Sequence, residues 1–222
     1  MHAELARTVR MTARAMARHG FVHAYGHCSA RIDAYSFLVA PPKPLGLVQP
    51  GEACTVVPID GALPEGVLGE VRIHREIYRR RPDVSGVVRA MPPHAMFLAA
   101  MMRTPKPRHG FGAYFWPGLP LWPSPQLLRN DEQAAALAEH MGNSRAILLR
   151  GNGAVVAGTT PQQAAVLTFY LEDMCRQELA ALAVSNSEPI LTAEEAAERA
   201  TWTGGTLERM WSFLTADDPE EP

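Results

Sequence analysis

A glutamate and a histidine stand four residues apart in the segment GEVRIHREIYRRR. The apolar residues of this segment recur at helical spacing, so Glu70 and His74 are predicted to share one face of a helix. A carboxylate and an imidazole side by side can take up and release protons during a reaction. The same spacing is common for a surface ion pair, and the spacing alone leaves both interpretations open.

The segment GHCSAR places three small or titratable side chains at the start of a predicted strand. His27 carries the group that titrates nearest neutral pH and is a candidate for moving a proton. Cys28 has no evident partner base, so it is interpreted as a small side chain rather than a nucleophile. Cys28 and Ser29 are both predicted to contact a substrate.

The segment VVRAMPPHAM predicts a buried strand that ends at two prolines, where the ladder of hydrogen bonds cannot continue. Arg89 and Met91 are two residues apart at this end and are therefore predicted to face one pocket. His94 follows in the first turn of the next predicted helix. Asn152 lies between two glycines in a predicted hairpin turn, which the backbone alone would favour.

The elements that position these residues alternate between helices and strands. The long segment 103–130 is rich in proline, glycine and aromatic residues and is predicted to be a functional loop. A capping box at Thr192 and Glu195 is predicted to open the last helix. Helices are predicted at 3–19, 69–81, 93–102, 130–142 and 160–184, strands at 28–33, 36–40, 53–61 and 87–91, and a β-hairpin at 145–158. This order favours one domain over 1–222, a mixed sheet with flanking helices, and 185–222 as a helical C-terminal extension.

The composition is that of an ordinary globular protein, with 47% hydrophobic and 20% charged residues and a formal net charge of −2. This charge does not favour a nucleic-acid or membrane partner. The three cysteines are too few and too scattered for a disulfide framework, and no signal peptide is recognisable at the N-terminus. A cytoplasmic location is therefore predicted.

Four segments in their joint order resemble the class II aldolase/adducin family: GHCSARI, FLVAPPKPLGLVQPGEACTVVPIDG, GEVRIHREIYRRRPDVSGVV and RAILLRGNGAVVAGTTPQQAAVLTFYLE. The resemblance implies a single α/β domain with a central, largely antiparallel mixed sheet and helices on both faces. It implies a small-molecule lyase, epimerase or dehydratase that works through an enolate-like intermediate. It also implies a homotetramer with active sites between subunits.

The resemblance further implies a divalent metal held by three histidines and a glutamate that acts as acid or base. The glutamate falls on Glu70, whereas the metal-binding histidines fall on Arg89, Met91 and Asn152. Arginine offers no lone pair, and a thioether or an amide alone is a poor ligand for zinc or manganese. The inherited metal site is therefore predicted to be lost, with no cofactor.

One alternative keeps a metal ion, zinc, manganese or iron, at a relocated site. Its ligands would be His27, Glu70, His74 and His94.

The segments that would hold a phosphorylated sugar, APPKPLG and VLGE, contain almost no hydroxyl groups, and Lys43 is their only cation. In sequence, these motifs resemble most the branch of the family that decarboxylates hydroxylated aromatic or pyridine carboxylic acids. Tyr114 and Trp116 of the long loop are predicted to contact such a flat substrate.

The sequence therefore predicts a metal-independent lyase for a non-phosphorylated aromatic or cyclic acid. Decarboxylation is the first expectation, followed by aldol cleavage, dehydration or cyclisation. Arg89 would replace the metal, and Glu70, with a pKa raised by apolar walls, would be the acid or base. His27, His74 and His94 would be catalytic partners. The alternative is a non-catalytic binding or scaffold protein that kept the fold; the enzyme is favoured.

Overall fold

The computed structural model describes residues 2–184 and 189–220. In this part of the chain one seven-stranded sheet has the order β3-β2-β1-β4-β7-β6-β5. Its strands are β1 (His27–Arg31), β2 (Ser36–Val39), β3 (Thr55–Pro58), β4 (Gly86–Ala90), β5 (Leu121–Trp122), β6 (Ala146–Leu149) and β7 (Gly153–Gly158). The β5 and β6 strands are parallel and all other neighbours are antiparallel. This arrangement confirms the predicted mixed, largely antiparallel sheet.

Helices cover both faces of the sheet. They are α1 (Ala3–Arg18), α2 (Arg72–Arg80), α3 (Pro93–Ala100), α4 (Asp131–Met141), α5 (Pro161–Val184), α6 (Ala193–Arg199) and α7 (Thr206–Leu214). The predicted caps are present: Asn130 accepts a hydrogen bond from the backbone of Gln133 before α4, and Thr192 and Glu195 form the capping box of α6. The ends of α1 and α5 agree closely with the sequence.

Two apolar cores lie on opposite faces because successive strand residues point to opposite sides. The core that contains Cys28 and Val88 packs against α1, α3 and α5. The other core contains Val87 and joins side chains of α2 and α4 such as Ile77 and Leu137. His27 and Ser29 flank Cys28 on β1, and Arg89 follows Val88 on β4. Their side chains therefore point to the opposite face of the sheet, where α2 lies.

The structure differs from the sequence expectation in three places. The first turn of the predicted helix 69–81, which contains Glu70, is a 3₁₀ turn at Gly69–Val71, and α2 begins only at Arg72. The segment 103–130 is not wholly irregular, because it contains a 3₁₀ turn at Gly112–Phe115 and the short strand β5. The capping box does not open the last helix, because α7 follows α6. Gly205 precedes α7 with φ 71°, a left-handed conformation that glycine adopts without strain.

The described part of the predicted C-terminal extension packs on the rest of the chain; residues 185–188 and 221–222 of that prediction lie outside the described residues. Leu214 of α7 is fully buried in the same core as α1. Arg14 of α1 donates to the Asp218 carboxylate at 2.6 Å and to Glu220 at 2.7 Å. Among the described helices, none is both long and apolar enough to cross a membrane.

Candidate active site

A cavity of about 940 Å³ opens where β1 begins and β4 ends. The antiparallel register of these strands places His27 directly beside Arg89. Both side chains line the cavity, as do Glu70, Met91 and Asn152. The predicted shared face of Arg89 and Met91 is therefore confirmed, and the hairpin tip between β6 and β7 brings Asn152 to the same space.

Glu70 belongs to the 3₁₀ turn Gly69–Val71 that precedes α2. Its Oε2 atom lies 3.3 Å from Nη2 of Arg89 and 3.9 Å from Nε2 of His27. Burial alone would raise the pKa of Glu70, but the interactions with His27 and the Arg89 cation outweigh burial and lower it. The expectation of a raised pKa is wrong, because an imidazole and a guanidinium stand beside the carboxylate in place of the apolar walls that it assumed.

Three buried nitrogen atoms at this cavity have no hydrogen-bond partner within the described residues: Nε2 of His27, Nε of Arg89 and Nδ2 of Asn152. A buried polar atom without a partner costs about 1–3 kcal/mol. All three belong to residues that line one cavity. Their grouping therefore indicates a place prepared for the oxygen atoms of a ligand.

Burial also determines the charge of the neighbouring side chains. It lowers the pKa of His27, and the nearby Arg89 cation lowers it further against the opposing effect of Glu70. His27 is 4% exposed, so its imidazole is neutral near neutral pH. Burial lowers the pKa of Arg89 and Glu70 opposes this shift, but a guanidinium remains charged at neutral pH. The cavity thus contains one fixed cation, one carboxylate and one neutral imidazole.

A chain of hydrogen bonds runs from His27 into the protein. Nδ1 of His27 lies 2.7 Å from Nε2 of His74, and Nδ1 of His74 lies 2.6 Å from the Ser29 hydroxyl. The Ser29 hydroxyl lies 2.8 Å from that of Tyr78. His74 is fully buried and Ser29 is 1% exposed, and neither lines the cavity. The structure therefore places both behind His27, with no direct access to a ligand.

Two predicted residues lie away from the cavity. Cys28 points to the opposite face of β1, where its thiol donates to the carbonyl of Val9, and burial raises its pKa. His94 stands at the start of α3, where its Nδ1 lies 2.7 Å from Oε1 of Glu172. The backbone N–H groups of His94 and Ala95 also donate to this carboxylate. Within this chain His94 therefore belongs to the N-terminal cap of α3.

The predicted aromatic contacts also lie elsewhere in this chain. Tyr114 and Trp116 line a second cavity of about 510 Å³ beside α6. Tyr114 is buried, and its hydroxyl donates to the carbonyl of Thr201. Phe111 stacks on Tyr170 with ring centroids 4.3 Å apart. Phe111 and Tyr114 pack the long loop against α5 and the C-terminal extension, because large rings gain more from burial than from contact with water, whereas Trp116 is exposed.

Two further cationic residues, Lys43 and Arg129, line the main cavity. Lys43 lines this cavity, and its ammonium lies 2.7 Å from the Glu52 carboxylate. Arg129, at the end of the long loop, lines the same cavity and was not predicted. The sequence signal for Arg129 is weak, because a single arginine before a helix cap is equally expected of an ordinary surface residue. Tyr78 was also missed, although Glu70, His74 and Tyr78 recur at a helical spacing of four residues.

The residues at the family's metal position do not fit a divalent metal. Arg89 brings a buried cation to that position, and its ion pair with Glu70 occupies the carboxylate. The remaining donors, from Met91 and Asn152, are one thioether and one amide. Over residues 2–184 and 189–220, no group of three or more histidine, cysteine, aspartate and glutamate side chains is arranged to hold a metal ion.

Comparison with known proteins agrees with this geometry. The Class II Aldolase and Adducin N-terminal domain family matches residues 7–179. The 3,4-dihydroxyphthalate decarboxylase of Arthrobacter keyseri is 30% identical over 192 residues, which cover 78% of this chain and 77% of that protein. The enzyme of the same name from Terrabacter sp. is 28% identical over 190 residues and covers 78% of each chain.

The fold agrees as well. An aldolase II superfamily protein from Pseudomonas syringae superposes with a TM-score of 0.81 at 19% identity, over 96% of this chain and 91% of that one. The family match spans most of the chain, and the decarboxylases are similar over more than three quarters of it. The chain therefore belongs to the class II aldolase and adducin family, and within it resembles the decarboxylase-like branch.

Proposed function

We propose that this protein is a lyase that decarboxylates a hydroxylated aromatic acid without a metal ion. The family and the decarboxylases similar to the chain support a lyase-type enzyme. The observation that carries the specific proposal is the group of unpartnered nitrogen atoms of His27, Arg89 and Asn152 beside the Glu70 carboxylate. Hydrogen-bond donors fixed in advance stabilise an oxyanion where a metal ion would otherwise do so.

The reaction uses an ionised Glu70. Its carboxylate takes the proton of a phenolic hydroxyl, and the resulting oxyanion is held by the donors of Arg89, His27 and Asn152. The protonated Glu70 then gives that proton to the ring carbon that bears the carboxylate. The carbon–carbon bond breaks, its electron pair restores the aromatic ring, and carbon dioxide leaves. The phenolate product takes one proton from water, so one proton is consumed for each carbon dioxide released.

The lowered pKa of Glu70 suits the first step, because a base must be unprotonated before it can act. Arg89 has two functions in this scheme. It helps to keep Glu70 ionised, and its Nε–H group, which has no partner within the described residues, can donate to the oxyanion. Lys43 and Arg129 add positive charge that attracts an anionic substrate. The homotetramer and the cytoplasmic location stay predictions.

The test is turnover of aromatic acids by the purified full-length protein. The protein is incubated with 3,4-dihydroxyphthalate and with mono- and dihydroxybenzoates, and released carbon dioxide and ring product are quantified together. We expect equal amounts of both from at least one acid that carries a hydroxyl group ortho or para to a carboxylate. The absence of turnover for all these acids, with measurable binding, would instead favour the non-catalytic binding protein.

A further inference from the structure

The hydrogen bonds in the chain behind His27 can be donated in either of two directions. The groups at the two ends of the chain determine which direction is adopted. At each of its three links one hydrogen is shared between two atoms, so reversing the chain changes which nitrogen of His27 carries hydrogen. In one direction Nε2 of His27 is a donor toward the cavity. In the other direction Nδ1 carries the hydrogen and Nε2 presents a lone pair.

The cavity end favours a hydrogen on Nε2. This atom lies 3.9 Å from the Glu70 carboxylate, whose lowered pKa keeps it ionised and able only to accept. A lone pair on Nε2 would face that negative charge, whereas an N–H group is attracted to it. The charged and titratable groups around His27 are Glu70, Arg89 and His74. Burial lowers the pKa of both histidines, so the chain contains two neutral rings.

The inner end favours the same direction. Tyr78 is 2% exposed, and its hydroxyl has one hydrogen to donate. Burial raises its pKa and keeps it protonated against the smaller, opposing effects of the Ser29 hydroxyl, the Arg31 cation and the Val87 backbone. Within the described residues its hydroxyl is paired with that of Ser29. Its hydrogen is therefore directed to the Ser29 oxygen. Ser29 then donates to Nδ1 of His74, and Nε2 of His74 donates to Nδ1 of His27.

We propose that His74, Ser29 and Tyr78 are positioning residues that hold His27 as the neutral Nε2–H tautomer, so that His27 donates a hydrogen bond to the anionic oxygen of the substrate. The tautomer stands on the geometry of the free protein, and the contact with substrate oxygen rests on the proposed function. A neutral imidazole donor stabilises an oxyanion without losing its proton to it. In this scheme Glu70 moves the proton and His27 does not.

The first experiment measures the tautomer directly. The full-length protein is labelled with ¹⁵N-histidine, and two-bond ¹H–¹⁵N correlations are recorded between pH 5.5 and 8. The His27 and His74 signals are assigned from their loss in H27Q and H74Q. We expect both rings to be neutral Nε2–H tautomers over this range. An Nδ1–H tautomer or a charged ring at His27 near pH 7 would overturn the proposal.

A pair of variants tests the function of His74. Glutamine reaches the position of Nε2 and can still donate to His27, whereas asparagine reaches only the position of Nδ1 and keeps the contact with Ser29. We expect H74N to lower kcat about 10- to 100-fold with little change in KM, because the donor is no longer oriented. H74Q should recover most of this loss. Equal loss in both variants, with the His27 tautomer unchanged, would contradict a positioning role.

The two proposals fail in different ways. If His27 shows the Nε2–H tautomer and no aromatic acid is turned over, the tautomer is correct and the proposed reaction is wrong. If turnover occurs while His27 carries its hydrogen on Nδ1, the reaction is correct and the tautomer assignment is wrong. The spectra of the unsubstituted protein decide this even if H74N does not fold.

Discussion

The Nη2 atom of Arg89 lies 3.3 Å from Oε2 of Glu70 at the place where relatives of this fold are expected to hold a metal ion. Arg89 is 2% exposed, and its Nε atom has no partner in the described part of the chain. The guanidinium therefore serves the carboxylate through Nη2, and its Nε–H group remains for a ligand. This division makes Arg89 the residue whose loss should be most severe.

We expect R89A to lower kcat/KM for the accepted aromatic acid by about 10²- to 10³-fold, the loss typical of removing one oxyanion donor. R89K should keep part of the activity, since it retains the charge but not the fork of donors. The measurement is steady-state decarboxylation at pH 7. R103A, which changes an exposed arginine elsewhere, is the matched control and should behave like the unsubstituted protein. Full turnover in R89A would contradict this arrangement.

The same ion pair predicts a pH dependence. The folded pKa of Glu70 is lowered, so activity that needs the carboxylate is present above that pKa and is lost as the pH falls through it. Replacing Arg89 by glutamine removes a neighbour that lowers the pKa. The acidic limb of the kcat/KM profile should therefore move to higher pH in R89Q. An acidic limb at the same pH in both proteins would show that Glu70 does not control it.

Removal of metal ions should leave the reaction intact, because the family's metal position carries an arginine, a thioether and an amide. The protein is purified without an affinity tag and without chelator, and metal content per subunit is measured by elemental analysis. We expect far less than one zinc, manganese or iron per subunit and no loss of turnover in EDTA. Stoichiometric metal with activity that EDTA removes would favour relocated ligands, to be located with H27Q, H74Q and H94Q.

Much of the fold was predictable because local signals and burial agree. Asn130 and the capping box at Thr192 begin helices as their side chains require, and Pro161 opens α5. The helix α7 was missed because its start depends on a left-handed glycine, which leaves no side-chain signature. The strand β5 was missed because two residues are too few for any periodicity.

The site was predictable only where residues share an element or a motif. Arg89 and Met91 follow from strand alternation, whereas Glu70 was singled out by its helical spacing from His74 and by the family resemblance. The hydrogen bond between His27 and His74 depends on how α2 packs on β1, and spacing along the chain does not encode this packing. The direction of the Glu70 pKa shift depends on the approach of His27 and Arg89 for the same reason.

Arg129 is expected to attract substrate rather than to take part in the chemistry. It is exposed at the cavity, and Lys43 beside that cavity already shares its charge with Glu52. We expect R129Q to raise KM about fivefold with kcat unchanged, as for the loss of uniform binding worth about 1 kcal/mol. The difference from the unsubstituted protein should shrink in high salt. An unchanged KM, matching the R103Q control, would remove Arg129 from the binding surface.

The side-chain carboxylates of Asp218 and Glu220 should stabilise the fold by pairing with arginines of α1. Nη2 of Arg10 lies 2.5 Å from Oε1 of Glu220, and Nη2 of Arg14 lies 2.7 Å from Oε2. Burial alone would raise the pKa of Glu220, but hydrogen bonds from both arginines outweigh it and lower the pKa to about 2. A carboxyl group with a lowered folded pKa contributes stability above its unfolded value, near 4.5, and loses it as the pH falls toward about 2.

We therefore expect E220Q to lower the free energy of unfolding at pH 7 by about 2 kcal/mol, the loss typical of hydrogen bonds to a charged group. The gap between E220Q and the unsubstituted protein should close as the pH falls from about 4.5 toward about 2. Urea unfolding followed by tryptophan fluorescence at several pH values measures both. D217N removes a neighbouring exposed carboxylate and should have little effect. A gap that stays constant with pH would show that Glu220 acts through packing and not through its charge.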